Sequence, residues 1–349
     1  MNAEAVRRML ALVAIGSALC LMLYHEIRVI APVASHSAQT FLAHAAGLDF
    51  PAFESKVGLM DLQRAWKPRL LSNVLGSYAT RGAVVDGRIS DERFAHLAGL
   101  WSASWLALVF LLYLAFLGSD ALIPMLGTFA GVAFAYMPGI GDRVYPWDMP
   151  SLFFSALFVC LLLQDRLAVM LFFLPIATLF KETAIVMAPA FLFLRGSARK
   201  RIAMFGVALL SIVAAKIAAD VISDSQGQLA FDGRLLLANV RYAVTGEFPH
   251  PEWYTWTSHR SHLVLVNAGL LAAFFLYPFP DRNAWMLRTV VLLYVAGTLT
   301  GAVVFEYRTW IGLIPLLLYP LTRAPLAPQE PTPSTARACA SSRASASRS

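Results

Sequence analysis

Leu167–Leu194 reads LAVMLFFLPIATLFKETAIVMAPAFLFL, and Arg195-Gly196-Ser197-Ala198-Arg199-Lys200-Arg201 follows it. How this stretch is cut decides the fold. As one helix it would hold Lys181 and Glu182 near mid-membrane, where each ionised side chain costs about 2.5–3.5 kcal/mol. It would also carry the basic cluster across to the side that short Lys/Arg-rich connections avoid. Two short apolar segments, Leu167–Phe180 and Thr183–Leu194, meeting at a Lys181-Glu182 break avoid both costs.

The composition supports a membrane setting. Of 349 residues, 58% are hydrophobic and 14% charged, and the mean hydropathy is +0.63. Soluble domains carry about 25% charged and about 45–50% apolar residues. An ordinary soluble enzyme, a disordered chain and a coiled coil are excluded. The net charge is +7, but the cations lie between apolar segments, so topology accounts for them and nucleic acid is not implied. The three cysteines imply no disulfide framework.

Working outward gives ten candidate spans: Met9–Tyr24, Phe94–Leu117, Ala121–Met137, Met149–Leu163, Leu167–Phe180, Thr183–Leu194, Ile202–Ala219, Leu263–Phe279, Trp285–Phe305 and Trp310–Leu321. A straight crossing takes about 20 residues. Several candidates are shorter, which suits tilted or broken helices beside a cavity. The expected fold is an all-α polytopic integral membrane protein of about ten transmembrane helices. Met9–Tyr24 reads as an uncleaved first span, since the residues after it fit a cleavage site only loosely.

Placing Arg195–Arg201 in the cytoplasm puts both termini there. The elaborate connections, 34–93, 138–148, 220–262, Lys181-Glu182 and Glu306-Tyr307-Arg308, then face outward. The inner ones are terse: Gly118-Ser119-Asp120, Gln164-Asp165-Arg166 and Asp281-Arg282-Asn283. In the first outer loop, Pro68–Tyr78 predicts an amphipathic helix, either on the interface with Lys67 and Arg69 towards headgroups or packed on the spans. Trp253-Tyr254-Thr255-Trp256 reads as an interfacial aromatic belt. Residues 1–323 form the membrane domain, and 324–349 read as a disordered basic cytoplasmic tail rich in Ser, Ala and Pro.

Chemistry-bearing residues gather at the outer connections. Asp148 begins a span two residues before Pro150, so it is either a helix cap or a carboxylate at a cavity rim. Asp142 and Arg143 precede it, as an ion pair or as substrate contacts. Lys181 and Glu182 form either a neutralising pair or a cation for an anionic headgroup beside a base. Glu306 and Arg308 repeat that choice, with arginine suited to phosphate oxygens. Asp49, Glu54 and Asp61 are possible acid/base groups, or solvated loop charge. His250, Glu252, His259 and His262 share one loop, but their spacings match no tight zinc pattern. No metal ligands are assigned, and no P-loop, dinucleotide fingerprint, nucleophile elbow or zinc-protease helix occurs.

Three pieces taken in order carry a resemblance. They are Tyr145-Pro146-Trp147-Asp148-Met149-Pro150-Ser151-Leu152-Phe153-Phe154, then Ala177-Thr178-Leu179-Phe180-Lys181-Glu182-Thr183-Ala184, then Glu306-Tyr307-Arg308 before Leu313-Ile314-Pro315. Together they resemble a group of bacterial polytopic membrane proteins similar in plan to the GT-C superfamily of glycosyltransferases. The resemblance implies a GT-C-like bundle in a bacterial inner membrane. It implies sugar transfer from a polyprenyl-phosphate carrier to a periplasmic glycan or lipid, with the carrier and membrane lipid as partners. A divalent metal cofactor stays open. Catalysis would fall to Asp148, Glu182 or Asp49. Substrate binding would fall to Lys181, Arg308, Glu306, Asp142, Arg143 and Arg69. The paired-acid motif typical of the first external loop in that superfamily has no clear match here. The rival expectations are a transporter or flippase of a lipid-linked glycan, and a non-catalytic assembly subunit.

Overall fold

A computed structural model describes residues 3–30, 69–85, 88–136, 144–222, 236–241, 261–277, 283–301 and 307–322. Among these the protein is almost entirely helical, so the all-α expectation holds. The exception is a two-stranded antiparallel ribbon, β1 (Val84–Val85) with β2 (Arg88–Ile89). The helices are α1 (Ala3–Ile30), α2 (Leu70–Thr80), α3 (Asp91–Leu117), α4 (Leu122–Ala135), α5 (Asp148–Leu163), α6 (Met170–Phe180), α7 (Ala198–Ile222), α8 (Ser261–Leu276), α9 (Asn283–Gly301) and α10 (Ile314–Thr322). Two 3-10 segments matter for the site, Glu182–Phe193 and Tyr307–Leu313. Over their described residues the ten apolar stretches fall on helical structure, Leu167–Phe180 and Trp310–Leu321 each on a 3-10 piece followed by an α-helix.

The bundle is organised around α5. Fourteen of its sixteen residues are buried, as a helix apolar on every side must be in a packed interior. Phe154, Leu157, Phe158 and Leu161 join a core with α6, the Glu182–Phe193 segment, α9 and α10. Met149, Leu152, Ala156 and Cys160 join a second core with α1, α3 and α4. The helix is thus the partition between two packed halves.

The outer faces are apolar as well. Leu210, Val213, Ile217 and Val221 run along α7 at helical spacing, and all are exposed. Such stripes suit lipid, where no water penalises them. Among the described residues, three stretches are long and apolar enough to cross a membrane: Glu4–Val29, Ala198–Ile222 and the run Asp91–Ala135, which holds α3, a turn and α4. The turn is made at Gly118, whose φ of +59° is a left-handed value that glycine adopts freely. The other apolar helices are shorter.

The cut inside Leu167–Leu194 is real. Helix α6 stops at Phe180, and Lys181 is extended, with φ −157° and ψ 129°. The chain resumes as twelve residues of 3-10 helix with Pro189 inside it. Runs of 3-10 helix beyond 3–4 residues are uncommon. Pro189 lacks the donor a regular ladder needs, and β-branched Thr183, Ile185 and Val186 are poor α-formers.

Helix α2 forms where expected, and of the two placements it takes the packed one, with its polar face inward. It buries Ser72, Asn73, Gly76, Ser77 and Thr80 and exposes Leu75 and Tyr78. Small residues allow close approach to α6, and the Ser72 hydroxyl donates to the Phe180 carbonyl at 2.8 Å. The expected headgroup-facing Arg69 is therefore corrected: the polar face is the one with partners inside the bundle, and Arg69 follows it inward. Lys67, the loop 34–68, the aromatic belt at Trp253–Trp256 and the tail 324–349 lie outside the described residues.

Candidate functional site

The extended backbone at Lys181 sends two neighbouring side chains to different partners. The Lys181 Nζ lies 3.8 Å from the Asp148 Oδ1. Both side chains are buried, at 8% and 1% exposure. The Tyr136 hydroxyl donates to the Asp148 Oδ2 at 3.4 Å. Glu182 turns instead to α2. The Arg69 Nε donates to its Oε2 at 2.9 Å, and a second guanidinium nitrogen donates to its Oε1. This fork is the strong, planar form of a charge-assisted contact.

An aromatic wall holds the arginine. Its guanidinium carbon sits 4.3 Å from the Trp147 ring centroid, a cation–π distance. Tyr145 stacks on Trp147 with centroids 4.8 Å apart. Behind them, the Trp101 indole donates to the Pro146 carbonyl at 3.2 Å, and Trp105 meets Phe180 edge-on at 5.4 Å. Helix α3 therefore braces both the turn before α5 and the end of α6.

Asp148 does not act as the helix cap that its position allows. It is the first residue of α5, Trp147 stands at the cap, and no side chain caps the end. A negative charge in the first turn still suits the helix dipole, but the carboxylate serves Lys181 and Tyr136. Tyr294 on α9 completes the group. Its hydroxyl is hydrogen-bonded to Thr183 and to the Gly312 backbone, within electrostatic reach of Asp148.

The two carboxylates differ in access. Asp148 is enclosed, whereas Glu182 keeps 39% of its side chain exposed and its partner Arg69 keeps 15%. Glu182 precedes the candidate span Thr183–Leu194. Desolvation pushes its carboxyl up, but the Arg69 charge and hydrogen bonds outweigh that and hold it at about 2. The result is one sealed pair beside one half-open pair.

Of the residues singled out from sequence, the structure brings together Asp148, Lys181, Glu182 and Arg69. Arg308 is in the backbone of the Tyr307–Leu313 segment, which packs against α5. Asp49, Asp142, Arg143 and Glu306 lie outside the described residues, as do Glu54, Asp61, His250, Glu252 and His259; His262 is in the first turn of α8. No group of three or more His, Cys, Asp and Glu side chains able to hold a metal occurs among the described residues. Sequence reasoning passed over Tyr136, Tyr294, Trp101 and Ser72. Their one signal is a polar atom inside an otherwise apolar run, which needs a partner when buried.

Compared with known proteins, the chain matches no family model, no curated protein and no solved structure.

Proposed function

We propose that the protein is a glycosyltransferase of GT-C-like plan in a bacterial inner membrane. It would move a sugar from a polyprenyl-phosphate carrier to a periplasmic glycan or lipid. The short helices then act as some ten spans, both termini are cytoplasmic, and the Lys181-Glu182 break faces outward. The observation that carries this reading is the half-open Arg69–Glu182 pair on the Trp147 wall. It supplies an accessible carboxylate beside a phosphate-type cation. Once Arg69 turns to the phosphate, Glu182, no longer held low by it, takes the proton of the acceptor hydroxyl, whose oxygen bonds to the anomeric carbon. The bond from that carbon to the phosphate oxygen breaks, and polyprenyl phosphate leaves with its charge met by Arg69. Asp148 and Lys181 act through position, fixing the joint from which Glu182 projects.

The test is turnover of polyprenyl-phosphate hexoses by purified protein in lipid nanodiscs, read as released polyprenyl phosphate. Wild type turns over at least one donor, and Glu182→Gln lowers the rate by about 10²–10⁴, the usual worth of a general base. Absence of turnover across a panel of donors and acceptors, or full activity in the variant, ends the proposal. A second reading, a non-catalytic assembly subunit, draws on the sealing of Asp148 by Lys181. It expects no turnover and a folded protein that co-purifies with partners.

A further inference from the structure

We propose that Arg69 is the receptor for a phosphate group and that Glu182 is an internal competitor occupying that receptor until a ligand displaces it. The inference rests on the same site as the transferase reading and adds to it the way the ligand enters.

Four observations converge. The Arg69 guanidinium presents its fork to a carboxylate, the same geometry that takes two phosphate oxygens. It stands at the start of α2, an eleven-residue helix whose N-terminus no side chain caps. The positive end of the helix dipole therefore adds to the arginine charge. Lys181, next in the chain to Glu182, acts on that carboxylate electrostatically, with Asp148 as its own ion partner. Finally, Glu182 is partly exposed, so the contact it makes lies at the accessible edge of the cluster rather than behind it.

The exchange keeps Arg69 neutralised, while the site as a whole gains the charge of the ligand. A phosphate with one or two negative charges replaces one carboxylate on Arg69, and Trp147 holds the guanidinium plane through the change. The displaced Glu182 carboxylate is ionised and released from its cation beside the bound phosphate. Ligand entry and exposure of the base are then one event. An empty site keeps its base covered, which suppresses reaction with water.

The experiment is a binding titration on purified full-length protein in detergent, read by tryptophan emission. Geranylgeranyl phosphate and inorganic phosphate are the two probes. Trp147→Phe identifies the part of the signal that comes from the ring beneath Arg69. Glu182→Gln, matched in volume, is expected to bind about tenfold tighter. That factor corresponds to a pair open about one-tenth of the time in wild type. Arg69→Lys keeps the charge but loses the fork, and is expected to bind at least about tenfold weaker. A stronger response to geranylgeranyl phosphate assigns a lipid headgroup as the source, and equal responses assign free phosphate. Equal or weaker binding by Glu182→Gln protein that still unfolds cooperatively overturns the proposal, as does unchanged binding by Arg69→Lys. If the affinities shift as expected and no polyprenyl-linked sugar is turned over, the anion site stands and the transferase reading falls.

Discussion

Removing either member of the Asp148–Lys181 pair strands a charge in a place that water does not reach. The side chains are 1% and 8% exposed, with 3.8 Å between the Asp148 Oδ1 and the Lys181 Nζ. Breaking a buried pair by deleting one partner costs about 3–5 kcal/mol. The stranded group has an escape, since it can become neutral. For an ordinary lysine at pH 7 that escape costs about 4.6 kcal/mol, and for an ordinary aspartate about 4.2. These ceilings agree with the range for broken pairs. In a chain of 349 residues, soluble-protein scaling turns about 3–5 kcal/mol into a fall in Tm of about 4–7 °C. Asp148→Asn, which strands lysine, should recover as pH rises towards 10. Lys181→Met, which strands aspartate, should recover as pH falls towards 4. The double variant removes both charges and should return to within about 1–2 °C of wild type. The assay is thermal unfolding of detergent-purified protein across that pH range. Single variants that melt with wild type, a double variant that sums the two losses, or pH slopes of the same sign would refute the reasoning.

At the second pair, Glu182 is held at about 2, against about 4.3 for an ordinary glutamate. A lowered carboxyl stabilises the fold fully above the unfolded value and loses that effect as pH falls through the folded one. The Tm gap between wild type and Glu182→Gln should therefore be flat from pH 8 to about 5 and close between about 4 and 2; closure above pH 5 contradicts it. At Gly312, an added Cβ would stand 2.7 Å from the Tyr294 hydroxyl. Gly312→Ala should cost about 1–3 kcal/mol by overpacking, and adding Tyr294→Phe should restore most of it; no rescue in the melting curve counts against the contact. At Gly99, a Cβ would meet the Tyr24 ring at 2.8 Å and the Tyr24 carbonyl at 3.0 Å. The carbonyl cannot swing aside, so Gly99→Ala should force α1 away from α3 and lower Tm, while Gly206→Ala, with open space around it, should not.

The helices were legible because apolar runs and polar punctuation follow from the same solvation physics that builds them. The break at Lys181 was legible for a sharper reason: two adjacent charges inside apolar sequence leave few alternatives. The orientation of α2 was not. Its apolar spacing is genuine, but the rule that apolar faces turn inward assumes water outside, and here Ser72, Asn73 and Ser77 hold the inner face. Within the site, Asp148, Lys181 and Glu182 stood out as charge at the ends of apolar runs. Their pairing did not, because Lys181 and Glu182 are neighbours in sequence and the obvious partner of each is the other. Only the extended backbone at Lys181 directs them apart. Arg69 was noted for the wrong neighbour, since 113 positions separate it from Glu182 and no local pattern encodes that meeting. Tyr294 and Tyr136 were hidden by the apolar runs that contain them.

The winding of Glu182–Phe193 has a mechanical side. A 3-10 helix climbs about 2.0 Å per residue, and an α-helix about 1.5 Å. Twelve residues therefore reach about 24 Å instead of about 18 Å. The segment is a stretched strut, with the Arg69 contact at one end and the Arg195 turn just past the other. Rewinding it as α-helix would draw those ends about 6 Å closer. Its pitch sets the distance between the two ends.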